Sequence, residues 1–161
     1  MMKFDQALNR LANYCSRAER CVQDVRRKLD AWEITKEDQE KIIRRLQQEK
    51  FLDERRYCKA FVNDKTKYSH WGVFKIKYAL KKKNISDELI RESLENTNPE
   101  ESREQLRQLI EQKQKTVKGK NEWEIRQKLI RFAIGRGYSL EEAERNTLKI
   151  KTTTGNESKS G

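Results

Sequence analysis

One proline and six glycines occur in 161 residues, and strict apolar–polar alternation is missing over any stretch long enough for a strand. A chain so poor in breakers and in period-two patterning is expected to be helical. Apolar runs near the roughly 20 residues needed to cross a bilayer are also lacking, as is a signal-peptide core near the N-terminus. A cytoplasmic protein without membrane contact is expected. The three cysteines, Cys15, Cys21 and Cys58, show no C-x-x-C spacing and have one possible imidazole companion, His70. That set makes no convincing zinc site and suits buried free thiols in a reducing compartment. Neither a G-x-x-x-x-G-K-[ST] loop, a dinucleotide fingerprint nor a nucleophile elbow is found. Asp53 and Glu54 form a carboxylate pair, but their place ahead of Arg55 and Arg56 suits helix capping better than acid–base work. No catalysis, cofactor, metal or small-molecule substrate is expected.

What is abundant is charge. Hydrophobic residues make up 34% of the chain and charged ones 39%, a balance that fits thin helical layers sharing a narrow core. Lys and Arg number 37 against 26 Asp and Glu, a net charge of +11 that favours polyanionic partners. Three pentads, VRRKL ending at Leu29, IKYAL at Leu80 and IRQKL at Leu129, lie 51 and 49 residues apart and mark an internal repeat. After each comes an apolar residue and a hydroxyl: Ile34-Thr35, Ile85-Ser86 and Tyr138-Ser139. Such pairs staple and cap a following helix, so third helices should begin near 36, 87 and 140. Ile85 with Ile90 is the clearest staple, and Ser139 with Glu142 the clearest capping box. Asp53 and Asn98-Pro99 mark further helix starts, and Gly119 offers a C-cap.

The expected fold is therefore all-α: three tandem three-helix repeats at 3–50, 53–97 and 99–150, stacked into an elongated or curved body, with a disordered tail at 151–161. Phe4, Leu8, Leu11, Ile42, Ile43, Leu46, Tyr57, Phe61, Leu89, Ile90, Leu94, Leu106, Leu109, Ile110 and Leu148 have the helical spacing of inner faces.

Several of these markers together resemble the RecX regulatory family, from about Arg17 to Leu148. The most distinctive stretch is Phe51-Leu52-Asp53-Glu54-Arg55-Arg56-Tyr57. Gly72, Ile76, Leu80, Lys83, Ile85 and Ser86 are similar to the family's second-triplet pattern, and Arg131-Phe132 with Arg136-Gly137-Tyr138 to the close of the third. Lys50 and Asn84 replace glycines usual in the family, and Val73 a common proline. The resemblance implies a monomeric regulator in recombination, DNA repair and the SOS response. It would bind the groove of RecA filaments on single- or double-stranded DNA, restrain strand exchange and ATP hydrolysis, and shift assembly toward disassembly.

On an ideal helix from Gly72 to Lys83, Val73, Ile76 and Leu80 share one stripe and should face the core. Phe74 and Tyr78 point away from it, among Lys75, Lys77, Lys81 and Lys82. Aromatics among lysines can stack on bases or enter a protein groove while the amines hold phosphate or carboxylate; the alternative is packing against a neighbouring repeat beneath solvated lysines. Matched positions are Trp123, Arg126 and Arg131 in the third repeat, with Arg26 and Arg27 in the first, so basic residues recur on corresponding faces. Lys113, Lys115, Lys118 and Lys120 add charge that a solvated helix end explains. Two further readings stay open: an autonomous, sequence-independent nucleic-acid-binding module, and a helical scaffold for acidic proteins.

Overall fold

The computed structural model describes residues 2–148; the tail expected at 151–161 lies outside them. Among the described residues the chain forms nine α-helices and no strand. They are α1 (Phe4–Arg17), α2 (Val22–Ala31), α3 (Lys36–Gln48), α4 (Glu54–Lys67), α5 (Val73–Lys82), α6 (Asp87–Glu95), α7 (Pro99–Gln114), α8 (Glu122–Gly135) and α9 (Leu140–Thr147).

Local chemistry sets these boundaries. Thr35, Asn98, Asn121 and Ser139 each accept a backbone N–H of the helix they open, and Ser139 with Glu142 completes a capping box. Ser86 accepts from Leu89 N, and the stapled Ile85 and Ile90 are both buried. Four helices end in a Schellman motif around a residue of positive φ: Glu33, Lys50, Asn84 and Gly137. Each is followed by an apolar residue whose N–H donates five positions back: Ile34 to Leu29, Phe51 to Leu46, Ile85 to Leu80, and Tyr138 to Ala133. The pentad leucines Leu29 and Leu80 are thus the acceptors of their motifs. Leu129 is not, because α8 runs one turn further before it stops. α7 ends at Gln114 with Lys115 as its C-cap, so Gly119 does not cap it; a Cβ there would lie 2.9 Å from the Ile125 side chain.

The chain divides into two compact units. The first joins residues 1–63 to 79–95, and the second joins 64–78 to the chain from 96 onward, so α4 and α5 contribute to both. In the first unit, Ala7, Leu11 and Cys15 of α1 meet Val25 and Leu29 of α2 and Ile42, Ile43 and Leu46 of α3. The FLDERRY segment ties its helices together. Leu52 is buried in that core, and Asp53 Oδ1 accepts from the N–H groups of Arg55 and Arg56. Glu54 Oε2 accepts from Val22 N at 2.9 Å, capping α2 rather than its own helix. Arg55 pairs with Glu92 and Arg56 with Glu19, while buried Tyr57 lies against Phe61. Asp24 adds a half-buried bridge to Lys83 at 2.7 Å.

The second unit is centred on Leu106 and Ile110 of α7, Leu129, Ile130 and Ala133 of α8, Tyr138, and Ala143 of α9. Two expected core residues are exposed. Leu148 is 68% exposed because the inward register of α9 is filled by Ala143 and Thr147, whose hydroxyl donates to Ala143 O. Val73, 38% exposed, opens on a concavity lined by Pro99, Ser102 and Glu142, whereas Ile76 and Leu80 are buried as expected.

Candidate nucleic-acid interface

At the start of α5, two backbone N–H groups are taken by another turn of the second unit. Gly72 N–H donates to Arg136 O at 2.8 Å and Phe74 N–H to Gly137 O at 3.0 Å. This backbone-on-backbone docking leaves no room for a Cβ. One built at Gly72 would lie 2.4 Å from Gly137 O, and one at Gly137, where φ is +101°, would lie 2.4 Å from Lys75 Cβ. The preceding loop is fixed to the same turn: Tyr138 donates its hydroxyl to His70 O at 3.1 Å, and Arg136 donates Nη1 to Ser69 O at 3.2 Å. Burial pushes the Tyr138 phenol up to about 12, so it stays a donor across ordinary pH.

On this fixed platform Phe74 and Tyr78 are 58% and 61% exposed, one helical turn apart. Lys77, Lys81 and Lys82 are exposed and Lys75 is half-buried. Lys75 Nζ lies 4.7 Å from the centroid of Trp71, and Lys65 Nζ lies 4.8 Å from the same ring. Lys81 pairs with Asp87 at 3.4 Å. Trp123 is 68% exposed at the start of α8, whereas Arg126 turns inward and donates Nε to Thr147 Oγ1 at 3.2 Å. Arg131 is exposed, with Nε 3.4 Å from Gln127 O. In the first unit, Arg27 is exposed and Arg26 is neutralised by Glu40 at 2.6 Å.

Phe74, Lys75, Lys77 and Tyr78 thus lie together on α5, with Lys81 and Lys82 continuing the helix. Trp123 does not join them: the α5 dock meets the end of α8, and that helix is 14 residues long, about 20 Å at 1.5 Å per residue. Sequence reasoning passed over Trp71 and the exposed Tyr68. The signal was present as three ring-bearing residues, Tyr68, His70 and Trp71, directly before Gly72.

The thiols take no part in this surface. Cys15, Cys21 and Cys58 are buried and unbridged, and burial raises all three, Cys21 and Cys58 to about 11, so they remain protonated and weakly nucleophilic. Among the described residues no His, Cys, Asp and Glu group is placed to hold a metal, and no helix is long and apolar enough to cross a membrane.

The nine helices of the described residues, with caps and staples recurring at about 50 residues, define an all-α protein of tandem three-helix domains. Residues 53–94 match the model for the second three-helix domain of RecX, and residues 100–145 that for the third. The regulatory protein RecX of Actinobacillus pleuropneumoniae serotype 5b is 33% identical over 134 residues, which cover 82% of this chain and 84% of that relative. Clostridium beijerinckii RecX is 32% identical over 120 residues, covering 73% of this chain and 55% of its own length; the C. acetobutylicum protein is 29% identical over 140 residues, with 84% and 64% covered. The chain therefore spans less than two thirds of either clostridial relative. A crystal structure of regulatory protein RecX superposes with a TM-score of 0.82 at 22% identity, covering 88% of this chain and 71% of that one. RecX from Lactobacillus salivarius gives 0.77 at 21% identity, over 89% and 93%. The chain belongs to the RecX family.

Proposed function

We propose that this chain is a cytoplasmic, non-catalytic regulator that binds RecA filaments on DNA and restrains strand exchange and ATP hydrolysis. The observation that carries the reading is the exposed Phe74–Tyr78 face among lysines, on a helix anchored backbone-to-backbone at Gly72 and Gly137, in a member of the RecX family. An aromatic face among amines suits a filament that presents phosphates beside protein clefts. The test is co-sedimentation with RecA filaments beside binding to bare single-stranded DNA at the same salt, together with strand-exchange and ATPase assays. Preferential retention by filaments, inhibition of both reactions and no intrinsic turnover are expected.

The same face supports a second reading, an autonomous nucleic-acid-binding module, because stacking and phosphate contact need no RecA. Equal retention with and without RecA, lost in a Lys77→Ala/Lys82→Ala variant, decides for that reading.

A further inference from the structure

A second cation-rich surface lies in the first unit and uses none of the residues assigned above. Arg10, Tyr14 and Arg17 stand four and three residues apart on α1 and share one stripe. Lys28 on α2 and Trp32, its C-cap, are four apart on the facing side. The two stripes, with Asn13, line a concavity of about 210 Å³ that holds three cations and no carboxylate. Arg20, in the α1–α2 connection, adds a fourth beside it: its guanidinium lies 3.8 Å from the Tyr14 centroid and its Nε donates to Tyr14 O at 3.2 Å. Lys28 Nζ lies 5.0 Å from the same centroid.

Of the carboxylates nearby in the chain, Glu19 pairs with Arg56, Asp24 with Lys83 and Asp30 with Lys36, and Glu33, next to Trp32, is not among the residues that line the concavity. Arg10 and Arg17 form no ion pair with a described residue. Cations gathered without counter-charge repel one another, and an external anion relieves that repulsion. The rings narrow the choice of anion. Tyr14 already carries the Arg20 guanidinium, and both rings pack in part against the core. Free phosphate or a carboxylate chain would meet only the cations, whereas a nucleotide in a single strand offers a phosphodiester and, beside it, a π-face for the parts of Tyr14 and Trp32 that line the concavity.

We propose that this concavity binds single-stranded nucleic acid, with phosphodiester oxygens held by Arg10, Arg17 and Lys28 and an adjacent base laid against Tyr14 and Trp32. The site precedes residue 53, outside both matched domain segments. It requires neither RecA nor the α5 face, so it stands or fails separately from the filament reading.

The test is fluorescence anisotropy of labelled oligothymidylate with the full chain, without RecA, across a salt series. Arg10→Gln and Arg17→Gln change exposed side chains and leave the core intact. Each should flatten the slope of log affinity against log salt by about 0.7, and the pair by about 1.4, weakening binding by roughly an order of magnitude near 0.1 M salt. Tyr14→Phe should bind like the parent and Tyr14→Leu more weakly at every salt concentration. Ultraviolet cross-linking should attach the strand to a peptide containing Tyr14 or Trp32. An Arg10→Gln/Arg17→Gln protein with unchanged melting temperature, affinity and slope overturns the proposal. So does polyglutamate competing as well as unlabelled oligothymidylate, which assigns the concavity to an acidic protein segment. A Lys77→Ala/Lys82→Ala variant measured alongside shows whether any binding left comes from α5.

Discussion

At the scale of single residues, Glu54 shows how one side chain serves a helix it does not belong to. Its carboxylate caps α2 through Val22 N, and burial raises its pKa even though that hydrogen bond and nearby Arg26 oppose the shift. A carboxyl raised on folding contributes stability that is complete below its ordinary value of 4.5 and is lost as pH rises through the folded value. Glu54→Gln keeps an acceptor for Val22 without a buried charge, so it should equal or exceed the parent in stability at neutral pH. Glu54→Ala should cost about 0.5–2 kcal/mol, the range for a lost cap. Urea melts from about pH 4 to pH 7 check both; a neutral-pH Gln variant as unstable as the Ala one would show that charge is required. Asp24 has the opposite sign. Burial opposes its ionisation, but Lys83 and Cys21 N–H together outweigh it, so its contribution is present above the ordinary Asp range and is lost as pH falls through the lowered value. Lys50 carries a different strain: at φ 63° it closes α3 in a conformation that costs a side-chain-bearing residue about 1–2 kcal/mol. Lys50→Gly should raise stability by up to about 1 kcal/mol, once the extra flexibility of unfolded glycine is subtracted, and thermal melts should show the gain without altered helicity.

At the scale of elements, the joint between α5 and the α8–α9 turn is the least tolerant place in the second unit. Gly72→Ala and Gly137→Ala each put a methyl group 2.4 Å from a neighbouring atom, and overpacking of this kind costs about 1–3 kcal/mol. Both should lower the melting temperature and speed amide exchange at Phe74, whose N–H is held by Gly137 O. Tyr138→Phe removes only the bond to His70 O, and about 1 kcal/mol is expected for it. An alanine at Gly72 that leaves both melting and exchange unchanged would refute the joint. The glycines themselves were legible, as family markers in two distant stretches; their contact was not, because sequence spacing carries no sign of which backbones touch. The same division holds elsewhere. Thr35, Ser86, Asn98 and Ser139 were readable because caps are local chemistry, and the pentads placed α2, α5 and α8. The bracketing of Trp71 was not readable, since Lys65 and Lys75 reach it from different helices, nor was the inward turn of Arg126, which depends on Thr147 at the far end of the next helix. Val73 and Leu148 were misassigned to the core for a related reason: periodicity continues to the end of a helix whether or not a neighbour covers the last turn.

At the scale of the whole molecule, a net charge of +11 attracts any polyanion at a distance, so charge alone cannot distinguish a specific face from a general field. Salt dependence and shape dependence can, because they report different contacts. Lys77 and Lys82 are the pair to replace, since Lys75 lies over Trp71 and close to Gly137, and its loss would disturb the platform as well as the charge. If α5 meets single-stranded DNA, Lys77→Ala with Lys82→Ala should flatten the slope of log affinity against log salt by about 1.4. Tyr78→Ala should leave the slope nearly unchanged and weaken binding by about 1–3 kcal/mol, the loss of one stacked base. On RecA filaments both variants should relieve inhibition of strand exchange in proportion to lost affinity. Neutralising Glu100 and Glu101 on α7 changes the overall field in the opposite sense without touching α5, and should not weaken attachment. Melting curves for each variant separate lost contact from lost fold. A folded Lys77→Ala/Lys82→Ala protein with parental affinity, salt slope and RecA inhibition would mean that the α5 lysines are only solvated and that the filament is engaged elsewhere on the chain.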